Sequence, residues 1–216
     1  MGTAELDILH KQLTIHSWVI TYGTLATSEL TEQIREEIEA MWNDVKGIVR
    51  LKREQYDVRF RIEAYMRKDL RPDDIYGNYN PKNNYFRIEE YARGNISFVD
   101  GLGCNTGYFK LENLYKGSTT AAHEYGHTLG LPHPEDMDIR GKGVPGIMYP
   151  RGTLVDPQFQ YEPDKAAGTK GGTLYPIYRR VKQEDIELLR LDKLSFENNQ
   201  AIIGEFTSVW HDPHQP

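Results

Sequence analysis

The order of the predicted elements indicates an α+β fold in which helices pack on a twisted mixed sheet. A strand, one amphipathic helix and several further strands precede the next helix. Residues 14–22 are rich in β-branched and aromatic side chains, and residues 56–65 alternate between apolar and polar side chains. A chain of 216 residues is long enough for one domain, or for one domain in two lobes.

The other elements follow in chain order. Residues 1–13 are a polar lead-in with at most weak helical tendency. Thr27 or Ser28 is expected to cap a helix whose apolar residues recur at three- and four-residue steps. An acidic run on that helix is interpreted as a solvated face, with members Glu36, Glu37 and Glu39. Further strands are predicted at residues 85–91, 95–99 and 108–114, and a last helix at residues 181–194. Residues 134–176 are expected to be irregular, and residues 211–216 to be frayed.

Composition excludes several classes of protein. The net charge of −6 argues against general nucleic-acid binding. Cys104 is the only cysteine, so an internal disulfide is impossible. No apolar run is long enough to span a membrane. The first residues lack the pattern of a signal peptide, so we expect a chain made without one, a processed form or an excised domain.

The most specific pattern in the chain combines three histidines and a glutamate. His123 and His127 are four residues apart, so on a helix both imidazoles project from one face, one turn apart. Gly130 can adopt a left-handed conformation that ends the helix, which lets His133 approach from another direction. Three protein ligands leave a fourth position open, as in catalytic zinc sites. Glu124 is placed to contact a water molecule rather than the ion.

This extended motif, H-E-x-x-H-x-x-G-x-x-H from His123, is followed by Gly-Ile-Met-Tyr-Pro at residues 146–150. Together the two motifs resemble the metzincin zinc endopeptidases, and within that clan they are most similar to the matrixins and serralysins. The resemblance covers about residues 115–150. It implies that Met148 belongs to a turn that lies beneath the zinc site as an apolar floor.

The resemblance implies a zincin-like (metzincin) catalytic domain with a twisted mixed five-stranded sheet, an active-site helix and a C-terminal helix. Its cleft would separate an upper subdomain, residues 14–133, from a lower subdomain, residues 134–216, which contains the methionine turn. It further implies one catalytic zinc ion, a protein or peptide substrate, a secreted location and a monomer. Zinc lowers the pKa of bound water from about 15.7 towards 7, and Glu124 would act as the general base in peptide-bond hydrolysis.

One segment departs from the matrixins. Residues 101–117 contain neither His nor Asp, so structural zinc or calcium is not expected there. Tyr149, Pro150 and Tyr178 are candidates for the walls of the substrate pocket, with an insertion across about residues 152–173. The pocket is expected between an edge strand and the segment after the methionine turn. An extended peptide could pair with that edge through main-chain hydrogen bonds.

Three alternatives remain open at this point. The chain could be a zinc-binding interaction module without catalysis, although a degenerate site would often lose the base that Glu124 supplies. It could be the metalloprotease domain of a larger toxin or effector polypeptide. It could also hydrolyse an amide that is not a peptide bond, because zinc chemistry does not select the amide.

Overall fold

The computed structural model describes residues 1–215 as a curled mixed sheet with helices packed against it. The strands are β1 Gly2–Asp7, β2 Gln12–Tyr22, β3 Ile48–Leu51, β4 Glu54–Met66, β5 Asn83–Glu89, β6 Phe98–Val99, β7 Thr106–Lys110 and β8 Gln200–Ile203. The α-helices are α1 Ser28–Asp44, α2 Pro72–Tyr76, α3 Thr120–Thr128 and α4 Gln183–Leu188. None of these helices is long and apolar enough to cross a membrane.

The sheet has eight strands rather than the five that the family resemblance implied. Its main order is β3-β4-β2-β5-β7-β6. Strands β4, β2, β5 and β7 are parallel neighbours, whereas β3 and β6 run antiparallel at the two ends. Strand β6 is therefore the last strand of the order, next to the strand that precedes α3.

The prediction that residues 1–13 are a lead-in of weak helical tendency is wrong, because they contain β1. This strand pairs antiparallel with the first half of β2 and with β8. Ala4 and Leu13 are completely buried as a result. Strand β1 was not predicted because one of its two partner strands, β8, lies almost 200 residues further along the chain.

Helix α1 packs between β4 and helix α3. Thr27 caps it, since its side chain accepts a hydrogen bond from the Leu30 N–H at 3.1 Å. The predicted apolar face is confirmed by the burial of Ile34, Ile38 and Trp42. The Trp42 indole N–H donates to the Ala122 carbonyl of α3 at 3.1 Å, which links the two helices directly.

The acidic run of α1 is not wholly a solvated face. Glu37 is partly buried, and its Oε1 accepts a hydrogen bond from the Ala122 N–H in the first turn of α3 at 3.2 Å. Glu39 accepts one from the Ile62 N–H of β4 at 2.8 Å. Glu36 alone is fully exposed, as predicted. Glu37 places a carboxylate at the positive end of α3, where the helix dipole favours negative charge.

The last part of the chain differs from its prediction in two ways. Helix α4 is shorter than residues 181–194, because Arg190 adopts a positive φ of 51° and ends the helical segment. The tail is packed rather than frayed. His214 stacks on Tyr108 with ring centroids 4.2 Å apart, and Trp210 stacks on Tyr22 at 4.9 Å.

Candidate metal centre and active-site cleft

Helix α3 holds two of the three histidines at the edge of a cleft. It is buried along almost its whole length, because α1 lies on one side and the sheet on the other. The Tyr125 hydroxyl meets the Ser17 hydroxyl of β2 at 2.9 Å, which fixes the helix against the sheet. His123 and His127 both line the cleft, as their spacing predicted.

The turn after α3 brings in the third histidine. Gly130 has φ of 97°, a conformation that glycine adopts without steric cost. The Leu131 N–H donates to the Gly126 carbonyl at 3.0 Å, which ends the helix and reverses the chain. The Leu131 carbonyl lies 2.7 Å from Nδ1 of His127. The turn that delivers His133 therefore also orients His127.

The methionine turn lies directly under α3. Met148 is 2% exposed, and its sulfur would overlap a Cβ placed on Gly126, so the helix and the turn are in close contact. The Ile147 carbonyl lies 2.7 Å from Nδ1 of His123. The segment around Met148 therefore contacts α3 and also orients one of the histidines.

The two carbonyl contacts determine which nitrogen of each ring carries the proton. A backbone carbonyl can only accept, so Nδ1 of His123 and of His127 must be the N–H donor. In a neutral imidazole the other nitrogen, Nε2, then carries a free lone pair. Burial lowers the pKa of all three histidines, to about 4 for His127, so the neutral form prevails at pH 7. Neutral imidazole is the form that binds metals.

The three histidines fit a metal ion in distance as well as in protonation. Nε2 of His133 lies 3.1 Å from Nε2 of His123 and 3.1 Å from Nε2 of His127. Two nitrogens bound at about 2.0–2.1 Å to a tetrahedral zinc ion would be about 3.3 Å apart. His133 can donate at most one proton to the other two lone pairs, so a shared cation satisfies the set better than hydrogen bonds do. In residues 1–215 these histidines form the one cluster suited to a metal ion.

Glu124 lines the same cleft, one residue after the first histidine. Its side chain lies within the fold, and the residue is 5% exposed. Burial raises the pKa of its carboxyl to about 8, while the positive charges of Arg179 and Arg151 act in the opposite direction. A buried carboxyl of this kind is suited to exchanging protons with a water molecule in the cleft.

The cleft has a volume of about 400 Å³ and lies where the pocket was expected. One wall is the segment around the edge strand β6, including Phe98 and Val99. The histidines and Glu124 form the base. The opposite wall contains Pro150 and Arg151, which follow the methionine turn, and Arg179.

Of the three residues predicted for the pocket wall, the structure places one in the cleft. Pro150 lines it, but Tyr149 and Tyr178 do not. Tyr149 packs against a small apolar cluster beyond the cleft, formed by Ile139, Val155 and Leu174. The Tyr178 ring packs edge-on against Phe159, with centroids 5.6 Å apart.

Two arginines of the cleft were missed by the sequence analysis. Arg151 extends from the exposed end of the methionine turn, whereas Arg179 is only 3% exposed. Burial lowers the pKa of Arg179 to about 10, so it remains charged at pH 7. Little in the sequence indicates that Arg179 is buried, because two adjacent arginines in a polar segment are usually exposed at the surface. Arg179 follows the irregular residues 134–176, whose path no periodicity predicts.

Comparisons with known proteins give a partial similarity of fold. No family model matches the sequence, and no curated protein matches it. Among solved structures, the chain is similar to the crystal structure of archaemetzincin from Methanopyrus kandleri, with 13% identity and a TM-score of 0.42. The alignment covers 82% of this chain and 95% of that chain. This similarity describes a partial overlap of folds and says nothing about a shared activity.

Proposed function

We propose that this protein is a zinc-dependent endopeptidase of the metzincin type. The observation that carries the proposal is that three imidazole Nε2 atoms and one buried carboxyl group meet at the same open cleft. Three neutral histidines are a ligand set typical of catalytic zinc. A zinc ion held by His123, His127 and His133 would supply Lewis-acid activation of water and of the scissile carbonyl.

The side chain with a catalytic role is Glu124. Ionised, its carboxylate accepts a proton from a water molecule in the cleft, and it then delivers that proton to the amine that leaves. The carbonyls of Ile147 and Leu131 keep the histidine rings in one orientation and one tautomer throughout.

Substrate binding is proposed along the edge of β6. This strand is the last of the sheet order and forms one wall of the cleft, so its free edge faces the site. An extended peptide can add to such an edge through main-chain hydrogen bonds, independently of its sequence. The scissile bond would then lie between β6 and the histidines.

A purely structural or binding role for the metal is the second candidate. Structural zinc sites are closed by four protein ligands, whereas this site has three. A binding module also has no need of a buried carboxyl group beside the ligands. Both observations favour catalysis.

The test is the Glu124→Gln variant. We expect it to bind zinc as the wild type does and to lose peptide cleavage by about 10²–10⁴-fold, because the proton acceptor is gone while the three ligands remain. The substrate is a mixed library of blocked peptides, analysed by mass spectrometry, and zinc content is measured by atomic emission. Glu29→Gln, on the exposed first turn of α1, is the matched control and should behave as wild type.

Two results would contradict the proposal. Equal cleavage by the Glu124→Gln variant and the wild type would exclude Glu124 as the base. Stoichiometric zinc binding without any cleavage that a chelator abolishes would favour the binding module. An amide library without peptide bonds tests the remaining possibility that the scissile amide lies outside a peptide chain.

A further inference from the structure

We propose that the cleft selects peptides with a carboxylate next to the scissile bond, and that Arg179, with Arg151 beside it, binds this carboxylate. This inference rests on the proposed function, because it treats the bound peptide as a substrate that the protein cleaves. The carboxylate could belong to an acidic side chain within the peptide or to its free C-terminus.

Arg179 is a buried cation without a partner. The residue is 3% exposed, and its Nε has no hydrogen-bond partner among residues 1–215. No carboxylate within the described chain forms an ion pair with it, whereas other arginines such as Arg87 and Arg35 do form such pairs. A buried unpaired charge is strongly unfavourable, so its retention at the cleft points to an anion that arrives from outside.

The backbone that carries Arg179 is attached to the active-site helix. The Arg179 N–H donates to the Pro176 carbonyl at 2.9 Å. The same carbonyl accepts a hydrogen bond from the Thr119 hydroxyl, just before α3, also at 2.9 Å. The backbone at Arg179 is therefore tied to the segment that leads into α3, and the side chain that it carries is buried at the cleft.

The charges around the cleft favour an anion. Arg179 and Arg151 line the same cleft as Glu124 and the three histidines. Two guanidinium groups and one carboxyl group therefore share the cleft, and a bound zinc ion would add more positive charge. The chain as a whole has a net charge of −6, so the cleft opposes the sign of the rest of the molecule.

A carboxylate is the anion that matches this site chemically. A guanidinium group presents parallel N–H donors that pair with both oxygens of one carboxylate, which gives orientation as well as energy. Peptides carry carboxylates on Asp and Glu side chains and at the C-terminus. Glu124 does not satisfy this role, since no ion pair joins it to Arg179 within the described residues.

The first experiment compares isosteric peptides with the zinc-loaded wild-type protein. Blocked alanine peptides contain one central glutamate or one central glutamine, and a third peptide has the glutamine and a free C-terminus. We expect kcat/KM to be about 10–100-fold higher with glutamate than with glutamine, the range of a charge-assisted hydrogen bond. A preference for the free C-terminus instead would assign the site to terminal carboxylates. Equal rates for all three peptides would overturn the inference.

Variants then assign the preference to Arg179. Arg179→Met keeps an unbranched apolar stem, shorter than that of arginine, and removes the charge, so the preference for glutamate should fall to about twofold or less, as expected without a charged donor. Arg53→Met, in the exposed turn between β3 and β4, is the matched control and should keep the preference. An unchanged preference in Arg179→Met would exclude Arg179 as the specificity residue.

A binding measurement separates this inference from the proposed function. Calorimetric titration of the glutamate and glutamine peptides into Glu124→Gln, and into Glu124→Gln with Arg179→Met, needs no cleavage. Tighter binding of the glutamate peptide that depends on Arg179 would support the carboxylate site, even if no peptide were cleaved. In that case only the proposal of protease activity would fail. Cleavage with equal binding of both peptides would retain the protease and exclude the carboxylate site.

Discussion

At the scale of single residues, the geometry of the site is determined by backbone carbonyls that hydrogen-bond to the histidine side chains. His123 and His127 are each oriented by a backbone carbonyl, one from the methionine turn and one from the turn after α3. Each carbonyl selects the tautomer that leaves Nε2 free. Arg179 contrasts with them, because its Nε has no such partner among residues 1–215.

This contrast leads to a prediction about stability. Arg179→Met removes a buried and unpaired positive charge, so we expect the free energy of unfolding to increase by about 1–3 kcal/mol. Chemical denaturation of the metal-free protein measures the effect, with Arg53→Met as the neutral comparison. A clear loss of stability would show that the guanidinium stabilises the fold, and would weaken the assignment of Arg179 to a ligand.

Individual residues also show what sequence reasoning can and cannot find. His123, Glu124 and His127 were predictable because helical spacing alone brings them to one face, and His133 because a glycine reverses the chain. Arg179 was not, because its position depends on a loop path. Local periodicity contains no information about that path.

At the scale of elements, α3 and the methionine turn are fitted to each other at Gly126. A glycine inside a helix is ordinarily about 1 kcal/mol less favourable than alanine. Here an added Cβ would overlap Met148 Sδ and would lie 3.3 Å from Trp42 Cζ2. We therefore expect Gly126→Ala to destabilise the protein by about 1–3 kcal/mol, the range for overpacking, rather than to stabilise it.

Thermal unfolding and zinc titration measure this effect. Gly152→Ala is the control, because nothing lies within 4 Å of a Cβ at that position and its φ is not positive. Its stability should change by less than about 0.5 kcal/mol. A Gly126→Ala protein as stable as the wild type would show that Met148 can move aside, and that the turn is not a rigid floor.

Helix α4 carries a pH-dependent contribution to stability. Burial raises the pKa of the Asp185 carboxyl to about 6 from its ordinary value of 3.8, while its hydrogen bond from the Lys182 N–H acts in the opposite direction. The folded state therefore binds a proton more tightly than the unfolded state. The contribution is fully present below pH 3.8 and is lost as the pH rises through about 6.

Asp185→Asn should remove this dependence, since an amide oxygen can still accept from the Lys182 N–H. At about 1.4 kcal/mol per pKa unit, the wild type should lose about 2 kcal/mol relative to the variant between pH 4 and pH 6. Urea unfolding at a series of pH values measures the difference. Asp57→Asn, on the exposed side of β4, is the control and should follow the wild type. Parallel curves for Asp185→Asn and the wild type would contradict the expectation.

Elements were predicted well where their pattern is local. Strands β2 and β4 and helix α1 were found from alternation and helical spacing, and the structure confirms them within a few residues. Strand β1 and the packed tail were missed because both are stabilised by distant partners. Leu6 and Ala4 alternate with polar residues over too short a run to indicate a strand without β2 and β8 beside it.

At the scale of the whole molecule, the two chain regions farthest apart in sequence are joined in one sheet. Strand β1 pairs with β8, and the tail after β8 packs along β5 to β7, where Arg87 donates to the His211 carbonyl at 2.9 Å. The same tail stacks His214 on Tyr108 and on Phe98, a residue of the cleft wall. The edge strand that we propose for substrate binding is therefore supported from behind by the end of the chain.

The metal should stabilise this whole assembly, because its ligands come from α3 and from the segment beyond the turn. A ligand that binds only the folded state at one hundred times its Kd adds about 2.7 kcal/mol, which corresponds to about 5–10 °C in Tm for a domain of this size. We expect zinc to raise Tm by this amount and a chelator to reverse it, as calorimetry would measure.

His133→Ala should abolish the shift while the metal-free protein still folds, since His133 is exposed and contributes little to the core. His10→Ala, a histidine paired only with Asp7 at the surface, should keep the full shift. If zinc raised the Tm of His133→Ala as much as that of the wild type, the ion would bind elsewhere, and the three-histidine site would lose its assignment.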